Sequence, residues 1–270
     1  MTRRVAAEVE RVTVQDAEAT AAAPAAAGSL ARTTAAGLVG GAVCGALVGG
    51  VLGRLAMRLL AVTSPDSALY RLTDDDAIVG EISVAGTLSL LAFTASIGAI
   101  GGLLYLWVAR VLPATPRGRV AGFGLLTGTL GGALFVHGHG SFDYTVLRPV
   151  WLAVALFVAL PSLFGVAVPL LVDTLAGPRG WVRRGPWWLV APATVIAAVQ
   201  PAGLVVFAAG YGVALTISTV PVLHRWWHGR VVTVLGSTLL GALVCWGVYG
   251  LAVDIVSLVQ QRYPTAPFNP

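Results

Sequence analysis

Charge is scarce in this 270-residue sequence: only 11% of the residues are Asp, Glu, Lys or Arg, and every basic residue is an arginine. Soluble domains carry about 25% charged residues, whereas here 57% of residues are hydrophobic and the mean hydropathy is +0.83. These values exclude a soluble globular domain. The formal net charge of +5 does not indicate a nucleic-acid partner, because the arginines of a membrane protein gather in its inward-facing loops.

Cysteines and catalytic motifs are also scarce. Cys44 and Cys245 both lie inside apolar runs, so neither a disulfide framework nor a CxxC site is indicated. No P-loop, dinucleotide fingerprint, GxSxG elbow or HExxH motif occurs. No apolar run carries a regular arginine series, and no TVGYG-type filter is present. We therefore predict no cofactor, and we expect neither a standard ATPase or hydrolase nor a voltage sensor or potassium channel.

Long apolar runs are what the sequence does have, and a transmembrane helix needs about 20 such residues. Five runs are clear: Ala35 to Gly53, Thr87 to Ala109, Val120 to Val136, Val150 to Val172, and Val231 to Val253. Pro186 to Leu223 would measure roughly 57 Å as one helix, nearly twice the hydrocarbon core. A break at Gln200 to Gly203 gives two short spans instead. The sequence predicts an all-α polytopic bundle of about seven spans, with six spans as the alternative.

Arginine placement predicts the orientation, since cytoplasmic loops are enriched in arginine. With the N-terminus inside and the C-terminus outside, the inner side holds most of them: Arg32, Arg110, Arg117, Arg119, Arg179, Arg183, Arg184, Arg225 and Arg230. Residues 1–33 are predicted to be a disordered or weakly helical cytoplasmic tail, without a signal peptide. A transmembrane domain follows at 34–264, with an outer loop at 63–85, and a C-terminal tail at 265–270. The predicted location is a bacterial plasma membrane.

Glycines at four-residue spacing mark two spans, where they form stripes without side chains. The stripes comprise Gly37, Gly41, Gly45, Gly49 and Gly53 in the first span, and Gly124, Gly128 and Gly132 in the third. Such stripes allow close contact between helices, which lipid does not otherwise drive together. We predict close packing within the monomer, with homo-oligomerisation through the first span as the alternative.

Two sets of polar residues are candidate sites. His137, His139 and Asp143 lie in one outer loop, on the same predicted side as Asp74 to Asp76, and such side chains are metal ligands in kind. The spacing matches no specific metal motif, so a polar loop that caps the helix ends is the simpler interpretation. Asp254, near the outer end of the last span, is a candidate acid at membrane depth, where ionisable groups are costly and often functional. An interfacial position is the simpler interpretation for Asp254.

Two stretches resemble multi-pass membrane proteins of actinobacteria that have no established activity: Thr63 to Asp66 with Leu72 to Asp76 through Leu88, and Asp143-Tyr144 through Leu160 to Gly165. The resemblance implies a bacterial membrane protein and carries no activity over. The main hypothesis is a non-catalytic structural or interaction protein whose partners are the bilayer and a second copy or another membrane protein. The alternatives are a transporter or channel for a small or lipid-like solute, with spans kinked at Pro161 and Pro169, and a membrane enzyme with an outer metal site.

Overall fold

A computed structural model describes residues 31–64, 83–136, 149–185 and 230–260, together with the single positions 212 and 216. Within these residues the fold is entirely helical. The helices are α1 (Ala31–Thr63), α2 (Val84–Val108), α3 (Pro116–Phe135), α4 (Val150–Ala176), the short α5 (Trp181–Arg184) and α6 (Arg230–Gln260). In this part of the chain, α1, α2, α4 and α6 are long and apolar enough to cross a membrane. The apolar helices are those of a membrane-embedded protein.

Local sequence explains where the helices begin. The Ser83 hydroxyl accepts a hydrogen bond from the Gly86 amide at the start of α2, and the Thr115 hydroxyl accepts one from Gly118 at the start of α3. Both are N-caps, which satisfy amides that have no partner inside the helix. Pro116 occupies the first turn of α3, where a missing N–H costs nothing. Because of these N-caps, α2 and α3 begin three and four residues before their predicted apolar runs.

The first helix differs most from its predicted span. It begins at Ala31, inside the predicted tail, and continues to Thr63. Its segment Gly45–Leu52 is π-helical, a wider winding that is rare in proteins and usually limited to single turns. The helix continues as an α-helix through Arg54 and Arg58, beyond the end of the predicted apolar run at Gly53.

The five long helices alternate in direction, which the packing clusters reveal. Ala36 at the start of α1 packs with Leu175 at the end of α4 and Val182 of α5. At the opposite end, Leu60 of α1 packs with Val136 and Ala153, against which the last turns of α6 also pack. The chain therefore starts α1, α3 and α6 at one end of the bundle, and starts α2 and α4 at the other.

Missing side chains bring α1 and α2 into backbone contact. A Cβ atom placed on Gly41 would overlap the Gly98 carbonyl oxygen and lie 2.8 Å from the Gly102 Cα. A Cβ atom on Gly45 would overlap the Thr94 carbonyl oxygen and lie 2.8 Å from the Gly98 Cα. In contrast, a Cβ on Gly53 would meet only the Val48 carbonyl oxygen, at 4.0 Å. A four-residue step overshoots one α-helical turn by about 40°, and the π-helical segment changes that step, so five glycines cannot all face one neighbour.

The α3 glycines lie against α4. A Cβ atom on Gly124 would come within 2.9 Å of Val166, one on Gly128 would overlap the Ser162 hydroxyl, and one on Gly132 would come within 3.0 Å of Val158. The small residue of the partner helix is Gly165, where a Cβ atom would overlap the Thr127 hydroxyl. Each described glycine stripe therefore has its closest neighbours in a helix of the same chain.

The apolar surface divides between the centre of the bundle and its outside. In the most apolar window of α1, 61% of the residues are buried, against 6% in that of α6. α1 is therefore the most buried of the four helices long and apolar enough to cross a membrane in the described part of the chain. Large apolar side chains on other helices face outward, among them Trp151 and Trp246. Such surface suits lipid, which solvates apolar side chains as water does not.

Candidate functional site at the basic end

One polar cluster joins three helices at the end of the bundle where α2 and α4 finish and α3 starts. The Tyr105 hydroxyl of α2 donates a hydrogen bond of 2.9 Å to Asp173 Oδ1 of α4. The Arg119 guanidinium of α3 lies 3.2 Å from the other carboxylate oxygen, Asp173 Oδ2. We call Tyr105, Asp173 and Arg119 the three-helix cluster. In it, side chains of opposite charge join separate helices.

Burial within the three-helix cluster is uneven. Tyr105 is 1% exposed and packs edge-on against Phe123, with ring centroids 5.2 Å apart. The Arg119 and Asp173 side chains remain 29% and 40% exposed. The tyrosine ring therefore anchors the cluster in the apolar core, while the ion pair faces outward at the end of the bundle. Solvent screening at that position keeps the net stabilisation by the ion pair small.

The Arg119 guanidinium has donor capacity left over. Its Nε atom is buried and has no hydrogen-bond acceptor anywhere in the described structure. Arginine carries five N–H donors in a fixed fork, and the carboxylate that binds one side of the fork cannot also reach the other. An unsatisfied buried donor costs about 1–3 kcal/mol.

Local charge balance at this end is strongly positive. The connection from α2 to α3 carries Arg110, the first turn of α3 carries Arg117 and Arg119, and no Asp or Glu occurs between Glu81 and Asp143 in the sequence. Desolvation by neighbouring atoms lowers the pKa of Arg110, which means that its positive charge is disfavoured where it lies. Other arginine positions share this end of the bundle: Arg32, Arg179, Arg184 and Arg230. We call this the basic end.

Chemically, the three-helix cluster binds and orients groups and offers no nucleophile. Both carboxylate oxygens of Asp173 are already engaged, by a hydroxyl donor and by a cation. The hydroxyls elsewhere in the described spans donate to their own helix: Ser96 to the Ala92 carbonyl and Thr129 to the Leu125 carbonyl, at 2.8 Å each. Thr127 also reaches another helix, with its hydroxyl 2.8 Å from the Pro161 carbonyl oxygen.

The residues predicted as sites fall mostly elsewhere. His137, His139 and Asp143 lie outside the described residues, as does the Asp74 to Asp76 segment. Asp254 is half-buried in α6, six residues before the helix ends, and its carbonyl accepts a hydrogen bond of 2.7 Å from the Ser257 hydroxyl. The structure thus places Asp254 at the opposite end of the bundle from the three-helix cluster.

Sequence reasoning missed Asp173 and Tyr105. Asp173 follows Val172, where the fourth apolar run was taken to end, and therefore looked like the first residue of a loop. Helix α4 instead continues to Ala176. The sequence pattern that could have revealed Asp173 is its separation from other acidic residues, because Asp143 and Asp173 are the only acids between Glu81 and Asp254. An acid alone at the end of an apolar run, with an arginine at the start of the preceding span, indicates an ion pair between adjacent antiparallel helices.

The comparisons with known proteins add no family: no family model matches the chain, and no curated protein or solved structure does so either.

Proposed function

We propose that this chain is a seven-span protein of a bacterial plasma membrane, with its N-terminus in the cytoplasm. In this proposal it has no catalytic chemistry and acts through contacts with a second copy or another membrane protein. The observation that carries the proposal is the satisfaction of the polar side chains inside the spans. The described hydroxyls there, such as Ser96 and Thr129, donate to carbonyls of their own helices, so a hydrophilic substrate would meet few groups able to bind it.

The direction of the helices supports the span count and orientation. Helix α4 ends at the basic end, and α6 begins there, since a Cβ on Gly236 would lie 2.5 Å from Val111. α4 ends and α6 begins at the same end of the bundle, which fits an even number of crossings between them, such as the two predicted, and does not fit one. The arginines of the basic end favour the cytoplasmic side. Because α1 starts at that end, this arrangement supports an inside N-terminus.

The packing supports a rigid bundle that presents an apolar outer surface. Helices α1 and α2 touch through their backbones at Gly41 and Gly98, a contact that leaves little freedom for one helix to move against the other. We assign the α1 glycines to packing within the monomer. A partner would therefore bind the outer faces of other helices, or the outer loop at 63–85.

Site-specific photo-crosslinking in native membranes tests the interaction proposal. A photoreactive residue is placed at Trp246 or Trp151, which are 73% and 70% exposed, at a position in 63–85, and at Ala99, which is 2% exposed and serves as the control. We expect a discrete protein adduct from at least one exposed position and none from Ala99. An adduct of twice the 27.7 kDa chain mass identifies a second copy. Absence of a discrete adduct at all exposed positions contradicts the proposal.

One observation favours transport as the second candidate. An acid bonded to a tyrosine and an arginine from two other helices resembles the ionisable groups that mark ion and proton pathways in membrane proteins. Flux of small solutes and protons into proteoliposomes separates the candidates. Transport predicts flux that is lost in Asp173→Asn and retained in Asp254→Asn, whereas the interaction proposal predicts no protein-dependent flux in any variant.

A further inference from the structure

Exposed arginines from several helices cover the basic end. Five arginine side chains are exposed there: Arg32, Arg110, Arg117, Arg179 and Arg184. The acid that the described structure places among them is Asp173, whose two carboxylate oxygens already bind the Tyr105 hydroxyl and the Arg119 guanidinium. The five exposed arginines therefore form a surface of one charge sign, which we call the arginine surface.

The order of the helices decides which acids of the chain can reach the arginine surface. Asp66 to Glu81 lie between α1 and α2, and Asp143 lies between α3 and α4, in connections that leave from the opposite end of the bundle. Asp254 lies near that opposite end as well. Apart from Asp173, the remaining acids belong to residues 1–30, outside the described ranges: Glu8, Glu10, Asp16 and Glu18. These four are joined to α1 at the basic end.

The segment that carries these acids has a charge complementary to that of the arginine surface. Residues 8–18 contain the four acids and one basic residue, Arg11, which gives a net charge of −3. The 12 residues from 19 to 30 contain no charge and connect this segment to α1. A chain of that length spans about 18 Å as a helix and about 40 Å when extended. Because neighbouring helix axes lie about 8–10 Å apart, residues 8–18 can reach the arginine surface in either case.

The point of attachment lies beside two of the exposed arginines. The first turns of α1 pack against Leu175 of α4 and Val182 of α5. Arg179 follows α4, and Arg184 is the last residue of α5. The Arg184 Nε donates a hydrogen bond of 3.1 Å to the Pro178 carbonyl oxygen, which holds the exposed guanidinium in place. Arg179 and Arg184 are therefore the arginines best placed to meet the acids that precede α1.

Tethering determines how strong this contact needs to be. Exposed ion pairs are individually weak, so residues 8–18 would dissociate readily as a separate peptide. A short flexible linker gives an attached segment an effective concentration on the order of millimolar. The contact is therefore reversible, and salt weakens it because salt screens exposed charges.

We propose that residues 8–18 dock on the arginine surface of their own chain, with their carboxylates paired to Arg179 and Arg184. The docked segment covers arginines that other anions would otherwise bind, and a rise in salt releases it. The contact does not depend on the partner in the proposed function. It does not depend on orientation in the membrane either, because the segment joins the bundle at the basic end in both orientations.

Distances between two spin labels test the contact in the full chain. The labels are attached at Val12→Cys and Thr174→Cys in a Cys245→Ser background, in phosphatidylcholine nanodiscs. Thr174 is exposed near the end of α4, and Cys44 is 4% exposed, so the core thiol stays unlabelled. We expect a short-distance population at about 0.1 M salt that is lost at about 1 M, where the screening length falls from about 10 Å to about 3 Å.

Charge variants identify the groups in contact. Combining Arg179→Gln with Arg184→Gln should lower the docking equilibrium constant by about twofold to thirtyfold, since two exposed ion pairs are lost. Neutralising all four acids of residues 8–18 to their amides should abolish the short-distance population. The matched control is Arg58→Gln, an exposed arginine of α1 at the opposite end, which should leave the distances unchanged.

Two kinds of result would overturn the proposal. The first is a distance distribution that does not respond to salt, or that responds equally to Arg58→Gln and to the paired Arg179→Gln and Arg184→Gln variant. The second concerns the other possible occupant, an anionic lipid headgroup. In phosphatidylglycerol nanodiscs the short-distance population should persist, and its loss there would assign the arginine surface to lipid.

Discussion

Replacing Gly41 with alanine tests the backbone contact between α1 and α2 most directly. The added methyl group would overlap the Gly98 carbonyl oxygen and lie 2.8 Å from both the Cα and the N of Gly102. These are backbone atoms, which cannot rotate away as the end of a side chain can, so the two helices must separate. Overpacking of this kind costs about 1–3 kcal/mol.

A matched variant on the same helix removes the effect of helix propensity. Alanine is favoured over glycine inside a helix by about 1 kcal/mol, and this gain applies equally to Gly41→Ala and Gly53→Ala. At Gly53 the added methyl group would be 4.0 Å from the Val48 carbonyl oxygen, which is ordinary van der Waals contact. The difference between the two variants therefore isolates the clash, and it corresponds to a melting temperature about 2–12 °C lower for Gly41→Ala.

The chain supplies its own reporter for this measurement. Cys44 is 4% exposed and Cys245 is exposed, so in a Cys245→Ser background a thiol-reactive dye labels Cys44 only as the bundle unfolds. Melting curves in one detergent are compared for the background protein, Gly41→Ala and Gly53→Ala. If Gly41→Ala melts at or above Gly53→Ala, the backbone contact between α1 and α2 does not stabilise the protein and the reasoning fails.

Three further predictions concern single hydrogen bonds and accessibility. Thr127→Val removes the bond to the Pro161 carbonyl and should destabilise the bundle by about 0.6 kcal/mol. Thr129→Val loses bonds only to its own helix and should lower the melting temperature less in the same assay. The reverse order would contradict the interhelical role of Thr127. Tyr105→Phe removes the bond to Asp173 and should lower the free energy of unfolding by about 1.5 kcal/mol. Tyr249→Phe, at a 69% exposed position, should not change the melting temperature. Equal shifts in the two variants would refute the anchoring role of Tyr105. In the folded wild type, a maleimide should label Cys245 and spare Cys44, and mass spectrometry of peptides showing rapid labelling of Cys44 would place that residue outside the core.

The helical class could be predicted from the sequence because several separate apolar runs each indicate a transmembrane helix. Each apolar run is long enough by itself to indicate a span, and the predicted runs coincide with α1, α2, α3, α4 and α6. Boundaries were less accurate because hydropathy reports where side chains become polar and not where hydrogen bonding stops. Arg54 and Asp173 each directly follow the end of a predicted apolar run, yet the helix continues through both.

Partners between helices were harder to predict than the helices. The glycine stripe of α1 was visible, but its neighbours, Gly98 and Gly102, belong to an α2 sequence that offered only one such pair. Choosing a neighbour requires knowing which faces oppose each other, and a four-residue stripe drifts around the helix by about 40° per step. The candidate metal residues His137 and His139 lie outside the described residues, so that hypothesis stays a prediction.

The three-helix cluster links the two aspects of this protein, its packing and its charge. Helices α3 and α4 could pack on Gly124 and Gly165 alone, so an ion pair at their end is not needed to hold them together, and its exposure limits its worth. What Asp173 does supply is a fixed position for one guanidinium, 3.2 Å from its carboxylate, at an end of the bundle that is rich in arginine. Removing Asp173 would free Arg119 to follow solvent. An isolated acid among arginines is therefore better explained by the position it gives Arg119 than by the stability it adds.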